Sequence, residues 1–418
     1  MKDKKVLNRL IIIITLVFVV ICIGLLVDIL YDMQEQMIAI SQELDDNRPV
    51  YNIWIPSNID REAVRSMYTS YDEKKLGVKF KITTFSSDKY EDVLITSSIT
   101  NELPDMFYVS EKRYLKKLVN IGVVMEMGDY IVEKDIIEDF TEGAIEDFTV
   151  NNKIYGLPLM GWEEVLYCNK AIFEACNIEY PTSYGEFVAC IKAFKERGIV
   201  PLAIGGQSFR SVQCYYRMLV EGTGSLEEGA KELEEIVRLS PFQMTYEKVK
   251  EEDGLKAFIN GESAMFLGTT QAAAEIEHST ESRIKESIKA IPCPTIYETK
   301  IRIGDYGSGF VLNKSSELNK KENIKDFYES FERRLSWEMV MARGEGLPVY
   351  KAQNLEKTRF KLLSECDELM RLNNQEGVYE TLIKKYEREG EASQYKLQIL
   401  RLMHGQIDAR AFLSVLGL

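Results

Sequence analysis

Val50-Tyr-Asn-Ile-Trp-Ile55, a turn at Pro56-Ser57-Asn58, a mixed polar and apolar stretch from Arg61 to about Leu76, and Val78-Lys-Phe-Lys-Ile82 set the architecture of this chain. The two outer runs are short and rich in β-branched and aromatic residues, the composition of strands. The stretch between them reads as a helix, closed by Gly77 in the manner of a glycine just past a helix end. A second helix near Tyr90–Thr100 leads to Leu103-Pro-Asp-Met-Phe-Tyr108, another short strand. Strands alternating with helices predict an α/β fold with a mostly parallel sheet covered on both faces. In such sheets ligands sit beyond the carboxyl ends of the strands, which is where Asn58, Asp105 and Tyr108 stand.

Further along, Ser183 and Glu186 form a capping-box pair at the head of a helix running to Arg197, with Phe187, Cys190, Ile191 and Phe194 on one face and Gly198 as its stop. Ile199-Val-Pro-Leu-Ala-Ile204 follows as a strand ending in Gly205-Gly206. A helix–turn–strand unit closes over Ala257–Gly268, with Asn260-Gly261 as the turn. From Glu322 onward the pattern is almost wholly helical. The 418 residues exceed what one core usually supports, so two lobes are expected.

Before the first strand, Lys2, Lys4, Lys5 and Arg9 precede an apolar run from Leu10 to Val27 broken only by Thr15 and Gly24. With Ile29 and Leu30 it reaches the ~20 residues of a spanning helix. The basic flank places the N-terminus in the cytoplasm and everything after Tyr31 outside. No small-residue cleavage site follows, and Ile21 precedes Cys22 where a lipidation box needs a small residue, so the expectation is an uncleaved single-pass anchor in the cell membrane. Leu30, Met33, Met37, Ile40 and Leu44 suggest a short helical stalk over 31–48, ended by Pro49.

The net charge of −14 argues against nucleic-acid or anionic-lipid partners and otherwise reads as solubility. Seven widely spaced cysteines without a C-x-x-C pair, and only two histidines, give no zinc pattern and no disulfide framework. Buried free thiols are the expectation. No metal or cofactor is implied. Neither a nucleophile elbow nor HExxH nor a Ser/His constellation occurs, and with 66 acidic residues a carboxylate pair says nothing about glycosidase chemistry.

Several segments, in order, resemble the family-1 extracellular solute-binding proteins, the group of the maltose- and multiple-sugar-binding proteins. They are Leu103-Pro104-Asp105, Asn152-Lys-Ile-Tyr-Gly-Leu-Pro158, Leu166-Tyr-Cys-Asn169-Lys170-Ala-Ile-Phe173, Pro181-Thr-Ser-Tyr-Gly-Glu-Phe187, Ala257–Met265 with Gly268, Asp305-Tyr-Gly-Ser-Gly309 and the Leu400–Leu416 region. Cys168 stands where the family usually has a tyrosine, and Thr269-Thr270 where many sugar binders carry an aromatic. The resemblance implies a two-lobed, periplasmic-binding-protein-like α/β fold (type II, the Venus flytrap), following the N-terminal transmembrane helix of 1–30. It implies lobe 1 from 49–159 and 269–316, and lobe 2 from 160–268 and 317–418. The implied function is the solute-binding subunit of an ABC importer, with a monomeric globular part. That subunit closes on a sugar or short oligosaccharide and delivers it to the permease subunits, with no catalysis. A ligand-sensing ectodomain that reports to a partner membrane protein is the alternative.

Sugars present hydroxyl rims and flat C–H faces, so their sites combine aromatic platforms with polar side chains. Trp162, at the first expected hinge, is either such a platform or an interlobe packing residue. Of Glu163 and Glu164, one is read as a hydroxyl acceptor and the other as a solvated hinge carboxylate. Asp105 and Tyr108 face the expected cleft, although Asp105 equally suits a helix cap. Asn58 either reaches the ligand or caps the following helix. Gln207 and Phe209 after Gly205-Gly206, Thr270 at the second hinge, and Asp305 with Tyr306 complete the candidates. Trp54 and Trp337 read as packing.

Overall fold

The computed structural model describes residues 47–110, 112–280, 284–294, 303–370 and 391–417. The expected membrane anchor and nearly all of the stalk lie outside the described residues; among those described, no helix is long and apolar enough to cross a membrane. The fold is that of the body formed by Tyr51–Leu76 and Phe80–Leu418.

Ten strands organise it: β1 Val50–Pro56, β2 Lys79–Phe85, β3 Met106–Val109, β4 Thr149–Val150, β5 Lys153–Ile154, β6 Met160–Asn169, β7 Leu202–Ala203, β8 Met265–Thr269, β9 Ile288–Pro292 and β10 Gly304–Leu312. β4 and β5 form a hairpin of their own, and the others make one sheet ordered β2-β1-β3-β10-β6-β8-β7, with β9 also on β6. β1 runs parallel to β3, as the strand–helix–strand reading requires, and β7 runs parallel to β8. The sheet is nevertheless mixed rather than mostly parallel. β6 carries the chain out of the first half and β10 brings it back, so the two lie antiparallel, with Trp162 opposite Asp305. β6 then pairs antiparallel with both β8 and β9.

Two cores flank this crossing. In the first, Phe80 stacks on Phe327 at 4.9 Å and Phe310 meets Phe331 edge-on at 5.2 Å. The helix Ile324–Ser336 supplies these rings because Ile324, Phe327, Tyr328, Phe331 and Leu335 share one buried face at helical spacing. Tyr328 hydroxyl donates to the Phe310 carbonyl at 2.6 Å and accepts from Leu157 N–H at 2.8 Å. The segment from 317 to 336 therefore packs in the first lobe, not the second as expected, since its aromatic face matches Phe80 and Phe310. The second core gathers Leu166, Phe187, Phe194, Tyr215, Leu219, Leu233 and Phe412. Ile291, Cys293 and Ile303 join it, so 288–303 also lies opposite to its expected lobe.

The helix expected over Arg61–Leu76 is two, Arg61–Ser66 and Ser70–Leu76. Asp60 caps the first through Glu62 N–H at 2.8 Å. Thr69 and Asp72 exchange hydrogen bonds that begin the second, a reciprocal cap in mid-stretch. The helix Tyr184–Glu196 starts at Ser183 and stops before Gly198, whose φ of 70° suits a glycine. After Ser336 the helix loosens into a π turn, Trp337–Ala342. Trp337, read as packing, is 41% exposed at its head, whereas Trp54 packs on Phe85 at 4.7 Å. Cys168, Cys190, Cys214, Cys293 and Cys366 are buried free thiols.

Candidate ligand-binding cleft

Two adjoining cavities, about 930 Å3 and 700 Å3, share Asn58, Cys214, Lys250, Glu251, Thr269 and Gln271. They are chambers of one cleft, fed by residues from both cores. The larger is aromatic, with Tyr108 and Tyr114 from the first half and Trp162 and Phe209 from the crossing strand and second half. Phe209, Gln213 and Arg217 all line it because they recur every four residues on the helix Phe209–Thr223 and so share one face. The smaller chamber has Asp60, Met339, Arg343 and Glu345 on its wall.

Trp162 is held by a buried ion pair. The Arg217 guanidinium lies 5.1 Å from the indole centre, and its Nη2 is 2.6 Å from Oε1 of the buried Glu164. The charge pair fixes the cation, and the cation fixes the ring. Neither Glu163 nor Glu164 is a solvated hinge carboxylate: each is 3% exposed. Glu163 N–H donates to Thr270 Oγ1 at 3.2 Å, and Thr270 N–H returns a bond to the Glu163 carbonyl at 2.8 Å. That exchange ties β6 to the end of β8, and neither residue is among those lining the chambers; Thr269 is.

Asn58 lines both chambers. It accepts from Ser87 Oγ at 2.8 Å rather than capping the helix at Arg61, a task done by Asp60. Tyr108 is 3% exposed and sits in the wall of the aromatic chamber. Gln207 and Phe209 line the same chamber, so five of the sequence candidates (Asn58, Tyr108, Trp162, Gln207, Phe209) meet there. Asp105 is placed elsewhere: its carboxylate accepts from Asn52 N–H at 2.7 Å and from Ser316 Oγ, sewing the sheet to the loop after β10. Tyr306 is buried, its N–H donating to Asp147 at 2.6 Å, and Asp147 in turn pairs with Lys112 at 2.9 Å. Asp305 faces Trp162 in the ladder and is not among the lining residues.

Gly205-Gly206 serves close packing. A Cβ on Gly205 would lie 2.3 Å from the Glu251 Cα, and one on Gly254 would lie 2.3 Å from Gly205 N. The loop therefore rests directly on the helix Glu251–Ile259, which brings Gln207, Lys250 and Glu251 to the cleft.

In the smaller chamber Arg343 spans Asp60 at 2.7 Å and Glu345 at 2.7 Å. The Arg343 hydrogen bond holds the Asp60 carboxyl below its usual range, whereas burial raises that of Glu345 in spite of the same partner. Burial also lowers the His278 imidazole. Sequence reasoning missed Arg113, Tyr114, Arg217, Lys250, Arg343 and Lys396. Arg217 alone had a signal, its four-residue spacing from Gln213 and Phe209; the rest arrive through folding of distant segments.

The model for bacterial extracellular solute-binding proteins matches residues 56–330. The chain is 28% identical over 88 residues to the multiple sugar-binding protein of Streptococcus mutans, a match covering 21% of each, so it spans about a fifth of that curated relative's length. A chitin oligosaccharide binding protein superposes with a TM-score of 0.76 at 17% identity, covering 88% of this chain and 97% of the other. A protein from work on xylan utilization by Caldanaerobius polysaccharolyticus gives 0.74 at 20% identity, with coverage of 88% and 98%. These likenesses identify the two-lobed substrate-binding fold. The chain belongs to the bacterial extracellular solute-binding protein family, whose members are binding proteins and not enzymes.

Proposed function

We propose that this chain captures a sugar or short oligosaccharide between its lobes, outside the cell membrane on its N-terminal anchor, and hands it to ABC permease subunits. The observation that carries the reading is Trp162, an indole held by the Arg217–Glu164 pair in the wall of a cavity of about 930 Å3. That volume lies within the range of small-molecule sites, and an aromatic platform ringed by amide and charged side chains suits a pyranose. The sugar-binding names of the relatives support it. Ligand held by both halves favours a closed arrangement by its differential affinity for that state.

The test is thermal unfolding of the purified full chain against neutral and acidic sugars, oligosaccharides and non-sugar nutrients. A carbohydrate at ~100 times its Kd stabilises the fold by about 2.7 kcal/mol and raises the midpoint. A rise with amino acids or peptides alone, or with nothing, would overturn the reading.

A further inference from the structure

The aromatic chamber is unusual in its pairing of rings with cations. Arg113 lies 4.6 Å from the Tyr114 ring centre, Arg217 5.1 Å from that of Trp162, and Lys396 Nζ 5.6 Å from that of Phe209. Resting on the carbohydrate reading above, we propose that the sugar unit held in this chamber is anionic, carrying a carboxylate of the uronic-acid kind.

The charge balance points the same way. Arg217 is offset by Glu164. The remaining lining charges are three cations, Arg113, Lys250 and Lys396, against two carboxylates, Glu91 and Glu251. Each of those carboxylates already accepts a serine hydroxyl, Ser110 at 2.7 Å and Ser208 at 3.0 Å. Because Ser208 is spent on Glu251, the helix Phe209–Thr223 opens onto the chamber with no side-chain cap, adding the positive end of its dipole. One turn further in, Gln213 is 7% exposed, lines the chamber, and its side-chain amide has no hydrogen-bond partner among the described residues. A buried amide in that condition is costly until a ligand satisfies it.

The neighbouring chamber has the opposite sign. Asp60, Glu252, Glu275 and Glu345 stand there against Arg343. In a chain of net charge −14 the cleft is thus polarised, its aromatic end positive and its other end negative. An acidic sugar is drawn to one end and excluded from the other, so the two chambers orient it.

The test is calorimetric titration of the full chain with matched pairs: D-galacturonic against D-galactose, digalacturonic acid against galactobiose, and D-glucuronic acid against D-glucose, each at low and high salt. The uronate member should bind at least about tenfold more tightly, with a ratio that falls as salt rises. Lys396→Met should lower the ratio; if that variant does not fold, the salt dependence of the wild-type ratio carries the test. A neutral sugar binding as tightly as its uronate overturns the anionic inference and leaves carbohydrate capture standing. A ratio unmoved by salt and by Lys396→Met overturns the role given to the cations. Binding by neither member of any pair overturns the inference, and the thermal panel then decides whether the carbohydrate reading falls with it.

Discussion

Trp162 and Glu332 show what single positions do in this molecule. Trp162→Ala removes the platform and leaves the Arg217–Glu164 pair facing an empty wall, so the Kd for the captured sugar should rise about tenfold or more in calorimetry. A fall in folding stability with unchanged affinity would make Trp162 a packing residue. Glu332 is fully buried on the helix Ile324–Ser336, where its Oε1 accepts from Phe310 N–H and Oε2 has no hydrogen-bond partner among the described residues. Burial pushes its carboxyl well above the usual range. From the unfolded value of about 4.3 up to the folded one, the native chain keeps a proton that the unfolded chain has lost, so stability falls as pH rises, by roughly 1 kcal/mol per pH unit at most. Glu332→Gln should remove that component of the slope in denaturant unfolding at pH 5 and pH 7. A slope unchanged by the substitution would show that Glu332 ionises freely. Nothing in the sequence around Glu332 separates it from the exposed acids beside it, because its burial comes from β10 and Leu157, far away along the chain. Trp162, by contrast, could be picked out, since a tryptophan at the expected crossing has few competing explanations.

Helices and strands followed local signals where those signals are chemical. Ser183 with Gly198, the alternation in β1, and the Asn260-Gly261 turn all fell where side-chain chemistry puts them. The break at Thr69 was readable in principle, as Thr69 and Asp72 are a capping pair, but it lies inside an otherwise continuous helical pattern. The Gly205-Gly206 loop was not readable, because a glycine needed for close approach looks like one needed for a turn. Gly254→Ala should destabilise the fold by about 1–3 kcal/mol in chemical denaturation, since the new methyl meets the backbone of Ile204 and Gly205. It should also weaken ligand binding, because the same crossing presents Lys250 and Glu251 to the cleft. Stability equal to the parent would mean that the helix Glu251–Ile259 shifts to accommodate the methyl.

Across the molecule, the two-lobed plan came through in the sequence, while the allocation of segments to lobes did not. Periodicity says that Ile324–Ser336 has an apolar face; it does not say which core that face meets. The lobes meet along β6 and β10, and ligand drawn from both should close them, lowering the radius of gyration in solution scattering when a bound sugar is added. An unchanged radius with saturating ligand would place the site within a rigid body. The cleft also depends on the π turn Trp337–Ala342, which delivers Met339, Arg343 and Glu345 to the smaller chamber. It leads to the paired bonds, each 2.9 Å, between Gly161 and Leu347 on the strand that carries Trp162. Such a turn is an α-helix holding one residue too many. Deleting that residue would restore ordinary winding and re-phase everything after it by roughly 100°. Arg343 would leave Asp60, and Leu347 would arrive out of step with Gly161, so this turn, unlike a surface loop, tolerates no change in length.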